Sequence, residues 1–170
     1  MFDPDVISDW ILEHRTYALI FVYIIGCIEA FIITGTFWSS IIMLIVATSL
    51  HEAEINLFAI SIFATAGSFT GDLASYNLGK KLGPKIKKWK FFRKKEKFLQ
   101  KSENMIKKFG SVAILIGRLT PAIRPYIPFL AGVAEMSNRR YIIAATLACI
   151  IWGIGLFFII LGIDKLMNYI

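Results

Sequence analysis

Residues 117–132 read GRLTPAIRPYIPFLAG. Arg118 and Arg124 stand six residues apart, Pro121 lies between them, and Pro125 and Pro128 follow. A proline removes a backbone donor and breaks the helical ladder, so the arginines are not placed by ordinary helical spacing. The break can turn both guanidiniums toward one point. What that implies depends on the surroundings.

The surroundings are apolar. Of the 170 residues 56% are hydrophobic and 14 are phenylalanine, and the mean hydropathy is +0.64, too greasy for a soluble domain. Residues 141–163 form an uncharged run of 23 residues, and about 20 such residues cross a hydrocarbon core. A second uncharged run, 30–50, is long enough by count; a third, 55–71, extends past Asp72 to Leu78. We read one all-α integral membrane domain over residues 1–170.

Charge sets the expected orientation. The net charge is +7, and residues 80–108 hold thirteen of the nineteen lysines and arginines against Glu96 and Glu103. Basic residues beside spans mark the cytoplasmic side, so 80–108 is expected there. Within it Phe91, Phe98 and Met105 recur every seven residues beside Phe92, Leu99 and Ile106. That pattern predicts a basic amphipathic helix, either lying on an anionic leaflet or covering the protein's own cytoplasmic face. A nucleic-acid partner is not indicated. The N-terminal MFDPDVISDWILEHR lacks a basic start and a cleavage site, so no removable signal peptide is expected. Its Val6, Ile7, Trp10 and Ile11 predict a short interfacial helix.

Two stretches have the wrong length for simple crossings. Residues 16–50 are interrupted by Glu29 and Gly35, and residues 109–135 by Arg118, Pro121, Arg124, Pro125 and Pro128. Each is expected to enter and leave by one face as a broken re-entrant hairpin, one from outside and one from inside. A plain pair of full helices is the competing reading of 16–50. Irregular backbone at membrane depth is tolerated only when buried in protein or lining a watery cavity. Two opposed hairpins, each followed by a true span, are the pattern of an inverted repeat.

Four ionisable residues fall within these apolar segments: Glu29, Asp72, Arg118 and Arg124. A charge at the bilayer centre costs at least about 2.5–3.5 kcal/mol, so these groups are expected to face one another or a cavity. Arginine presents a fork that fits phosphate or carboxylate, so a lipid phosphate is the natural external partner for Arg118 and Arg124. Glu29 is a candidate for proton coupling, and Asp72 for coupling or for pairing with an arginine. A static salt-bridge network with no moving ligand is the alternative. Gly71, Gly79, Gly83 and Gly132 are expected to permit close helix contacts or turns.

Nothing indicates an enzyme. HExxH, GxSxG and Walker spacings are missing, Cys27 and Cys149 are unpaired in apolar segments, and His14 and His51 are isolated. No cofactor or metal is implied.

GDLASYNLGKKLG, residues 71–83, resembles the G-D-x-x-x-Y-x-x-G-[RK]-x-x-G motif of the DedA family, also called the VTT or SNARE-associated domain. FGSVAILIGRLTPAIRPYIPFLAGVAEMSNRRY is similar to that family's second signature, with Arg118, Pro121, Arg124, Pro128, Ala131, Gly132 and Met136 in family positions. The resemblance covers about residues 29–152. It implies a multi-pass bacterial inner-membrane protein with two opposed re-entrant hairpins. It also implies transport of a phosphate-bearing lipid, of flippase or scramblase type, with undecaprenyl phosphate or a glycerophospholipid such as phosphatidylethanolamine as cargo. Membrane lipids would be its partners; a homo-oligomer is left open. Dependence on the proton motive force, with two membrane acids and two arginines, belongs to the family picture. Glu29 matches the first acid, and Arg118 and Arg124 the arginines. The second acid is missing: where many members have P-G-[ED], this chain has Ser39, Ser40 and Ile41. A proton-coupled exporter of small ions or cationic drugs and a non-transporting membrane scaffold are the other functional readings.

Overall fold

The computed structural model describes residues 15–36, 40–83, 100, 104–106, 108–120 and 123–167. The expected N-terminal interfacial helix, most of the basic stretch 80–108 and Pro121 lie outside the described residues. Seven helices are described: α1 (Arg15–Ala30), α2 (Ile32–Gly35), α3 (Ser40–Glu52), α4 (Leu57–Leu82), α5 (Ser111–Leu119), α6 (Tyr126–Val133) and α7 (Asn138–Met167). The fold is all-α, as expected.

Two helices, Leu57–Leu82 and Asn138–Leu166, are long and apolar enough to cross a membrane. Asn56 starts α4 by accepting hydrogen bonds from the amides of Phe58 and Ala59 through its side chain, satisfying donors that a helix start leaves open. Helix α7 is two-faced. Tyr141, Ala144, Ala145, Ala148 and Cys149 are buried, whereas Ile143, Leu147, Ile151 and Phe158 are about half exposed or more. A surface this apolar belongs in hydrocarbon, not water.

The other helices are short. At 1.5 Å per residue α5 and α6 are each only about 12–14 Å long and α3 about 20 Å, against a hydrocarbon core of about 30 Å. The uncharged run 30–50 is therefore not one helix. It breaks at Phe31, whose backbone is extended.

The first break is held by hydroxyls. Ser75 of α4 accepts from the amide of Ile32 at 2.9 Å and lies 3.4 Å from the carbonyl of Ala30. The hydroxyls of Thr34 and Thr36 return to the carbonyls of Ile28 and Ile32. Backbone groups freed by the break thus find partners within the protein, as membrane depth requires. At the second break α5 ends at Leu119, and Pro125 precedes α6 with φ −70°. Pro128, the third residue of α6, lies in the first turn, where a missing donor costs nothing.

Helix α4 is the axis of the packing. Helix α1 runs against it, and a Cβ on Gly67 or Gly71 would overlap the carbonyl oxygens of Tyr23 or Cys27. Helix α6 packs on its other end, where a Cβ on Gly79 or Gly132 would overlap the carbonyl of Phe129 or Tyr76. These are small-residue contacts of the kind that hold membrane helices together, as expected for Gly71, Gly79 and Gly132; Gly83 ends α4 with φ +35°. Helix α7 crosses α4 and also touches α5 and α3. A Cβ on Gly35 would meet the carbonyl of Glu29 and, at 3.2 Å, Pro125, so the two breaks meet there.

Candidate functional site

All four intramembrane charges converge where the breaks meet. Glu29 comes from the end of α1, Asp72 from the middle of α4, Arg118 from the end of α5 and Arg124 from the segment before α6. They are 5%, 1%, 1% and 6% exposed, so none faces lipid. Being buried and polar, they depend on partners.

The partners are one another. Arg124 donates from Nη1 to Glu29 Oε1 at 2.6 Å, and Arg118 forms an ion pair with Asp72. Ser68, one turn before Asp72 on α4 and fully buried, joins the pairs. It accepts from Arg118 Nη2 at 3.0 Å and from Arg124 Nη2 at 2.8 Å. The proline-broken stretch does turn both guanidiniums to one point, and that point is Ser68 Oγ.

Ser40 closes the other side. Its hydroxyl donates to Glu29 Oε1 at 2.7 Å, and Arg124 Nη1 lies 3.5 Å from its Oγ. Ile41, at the family's second-acid position, is 64% exposed. Of the described residues at this break, Ser40 reaches the network. Trp152 of α7 lies flat beneath Arg124, with the guanidinium carbon 4.3 Å from the ring centroid, a cation–π contact in a desolvated place. Cys149 Sγ is 3.9 Å from Asp72 Oδ2, and Tyr141 donates to the Asp72 carbonyl at 3.2 Å.

Ser68 and Trp152 are not singled out by the sequence, and Cys149 only as an unpaired thiol. Ser68 and Asp72 share a helical i, i+4 face, the one signal that could point to Ser68. Nothing in the pattern of α7 distinguishes Trp152 from a lipid-facing aromatic.

The network is neutral: two acids against two arginines. It is not saturated. Nε of Arg118, Nε of Arg124, Oδ1 of Asp72 and Oε2 of Glu29 are buried without a hydrogen-bond partner among the described residues. Buried polar atoms are nearly always paired. A site with open donors on both guanidiniums and an open oxygen on both carboxylates can take an anion on one side and a cation or proton on the other.

A second polar cluster anchors the far end of α4. Tyr76 stacks on Tyr141 at 3.9 Å between ring centroids. Its hydroxyl reaches the Met136 carbonyl and the Asn138 side chain, which also accepts from Lys80 at 2.7 Å. Tyr76, Lys80 and Met136 are thereby a clamp between α4 and the turn before α7.

The VTT domain matches residues 12–161, and the chain belongs to that family. It is 25% identical over 153 residues to an uncharacterized membrane protein of Buchnera aphidicola from Acyrthosiphon pisum, covering 89% of this chain and 60% of that protein. It is 22% identical over 148 residues to the inner membrane protein YabI of Escherichia coli K12, covering 86% and 58%. To the protein DedA of the same strain it is 23% identical over 152 residues, covering 86% and 68%. The chain thus spans about 60% of the length of the first of these relatives. No solved structure matches it.

Proposed function

We propose that this VTT-domain membrane protein moves a phosphate-bearing lipid between leaflets, as a flippase or scramblase, with Arg118 and Arg124 receiving the phosphate. The observation that carries this reading is the convergence on Ser68 of two buried arginines whose Nε donors have no partner. A guanidinium fork binds phosphate through paired donors. The phosphate would take Nε together with an Nη, drawing Arg118 from Asp72 and Arg124 from Glu29. Breaking a buried pair outright costs about 3–5 kcal/mol, so the incoming anion must replace the carboxylates as they leave. Glu29 and Asp72 then need a proton or water, which is where coupling to a proton gradient would enter. Undecaprenyl phosphate and glycerophospholipids such as phosphatidylethanolamine both offer the required group.

In this reading 16–50 and 109–135 are opposed re-entrant hairpins, and the contacts support an inverted repeat. The first arm of each hairpin (α1, α5) packs on the long helix that follows it (α4, α7). The second arm of the second hairpin (α6) packs on the long helix of the other half, and α3 touches both long helices. Such exchange is what a pseudo-two-fold axis in the membrane plane produces. The protein would sit multi-pass in a bacterial inner membrane with 80–108 cytoplasmic, in line with the name of the Escherichia coli relative YabI.

One observation favours a second reading. The charges pair one to one, as in a static network that only holds the breaks together. The two readings separate in vesicles containing purified protein and a fluorescent phospholipid. The transport reading expects wild-type protein to accelerate flipping and Arg118→Ala/Arg124→Ala to abolish it. Wild-type flipping by the well-folded double variant would remove the phosphate cradle.

A further inference from the structure

A cavity of about 600 Å³ lies between α4 and α7. Phe58, Ser61, Phe69, Cys149, Ile154 and Phe158 are among its walls, and Phe58, Ile154 and Phe158 are more than half exposed. The cavity is therefore a groove open sideways to the hydrocarbon. It has a floor because α7 comes against Thr65 at Gly153, where any Cβ would overlap the threonine hydroxyl.

We propose that this groove holds one hydrocarbon chain of the lipid whose phosphate engages Arg118 and Arg124; the inference rests on the transport reading above. Two observations carry it. The first is length. The groove runs from Phe58 to Phe69 on α4, which at 1.5 Å per residue is about 17 Å. That is close to one leaflet's share of a core about 30 Å thick, so it fits a single lipid tail and is short for a helix crossing the whole membrane.

The second is continuity with the charged site. Cys149 is a wall of the groove and lies 3.9 Å from Asp72 Oδ2, so one side chain separates the apolar compartment from the ion pairs. An amphiphile has the same arrangement, an apolar chain joined to an anion.

The test uses the purified full chain in nanodiscs with two photoreactive probes. One is phosphatidylglycerol with a diazirine midway along an acyl chain; the other is diacylglycerol carrying the same chain. Crosslinks are mapped by peptide mass spectrometry. The proposal expects the phosphate-bearing probe to label Phe69, Thr146 and Ile150 about tenfold more than diacylglycerol, a preference worth about 1.4 kcal/mol. Ala66→Trp fills the groove from its exposed side and should abolish that labelling and slow flipping. Ile143→Trp, on an exposed part of α7 outside the groove, should change neither. Equal labelling by both probes, or labelling and flipping that survive Ala66→Trp, would overturn the groove. If flipping still required Arg118 and Arg124, the transport reading would stand without it. Preferential groove labelling with flipping indifferent to the arginines would instead remove the phosphate cradle and keep the tail site.

Discussion

The break after Glu29 and the break after Arg118 bring charge to one point by different chemistry. The first is built from hydroxyls: Ser75, Thr34 and Thr36 take up the backbone groups that leave the helix. The second is built from prolines, which have no donor to satisfy, with Pro125 leading into α6 and Pro128 in its first turn. The first contributes the acid Glu29 and the second both bases. Two helix breaks at one charged site can thus be held by different side chains, because each needs only a satisfied break and a charge of the right sign. The comparison also predicts that the halves respond differently to substitution.

The largest effect is expected where a charge would be stranded. Asp72→Ala leaves Arg118, 1% exposed, without its anion, and should cost about 3–5 kcal/mol. Thermal unfolding of the purified protein in detergent, followed by tryptophan fluorescence, would measure it. Glu29→Gln should cost less, about 1–2 kcal/mol, because an amide oxygen still accepts from Arg124 and Ser40. If both substitutions cost the same, the amide oxygen does not stand in for the Glu29 carboxylate at Arg124 and Ser40.

Packing comes next. Gly67→Val at the α1–α4 contact and Gly132→Val at the α4–α6 contact each push a side chain into a carbonyl, and overpacking of this kind costs about 1–3 kcal/mol. Gly155 meets nothing within 4 Å, so Gly155→Ala should be neutral or stabilise by up to about 1 kcal/mol. A comparable loss at all three positions would mean that the glycines serve flexibility, not contact.

The sequence made some of this legible and hid the rest for physical reasons. The spans α4 and α7 show as long uncharged runs, and hydrocarbon leaves few other ways to use such runs. Glu29, Asp72, Arg118 and Arg124 were visible because a charge in an apolar run is costly and so conspicuous. Their pairing was not visible: which arginine meets which acid depends on how the second break turns. Ser68 and Ser75 stayed hidden because a serine in a membrane helix is common and its hydroxyl can always return to its own helix, as Ser75 also does toward Gly71. Ser40 was noted only as standing where an acid was expected nearby.

Ser75 itself offers a smaller test. Ser75→Ala removes the acceptor of the Ile32 amide at the first break and should cost about 1–3 kcal/mol, the penalty for a buried donor left unsatisfied. The second break has no side-chain crosslink of that kind in Thr120, whose exposed hydroxyl returns to the Ile116 carbonyl. Thr120→Ala should therefore stay within about 0.5 kcal/mol. Equal losses would show that the proline-built break also leans on hydroxyls.

A last pair of effects concerns the register of the first break and decides which residue stands in for the missing acid. The family pattern puts that acid at position 41, yet Ile41 is 64% exposed while Ser40 donates to Glu29 at 2.7 Å. Ser40→Ala removes one hydrogen bond to a charged carboxylate and should cost about 1–2 kcal/mol, whereas Ile41→Ala, on the lipid side, should change stability by less than about 0.5 kcal/mol. Flipping should follow the same order, since loss of the Ser40 hydroxyl leaves Glu29 held by Arg124 alone and harder for a phosphate to displace. A slower Ser40→Ala protein beside an unaffected Ile41→Ala protein would place the working residue of this break one position before the family's acid. The reverse result would mean that α3 turns during transport and brings position 41 inward.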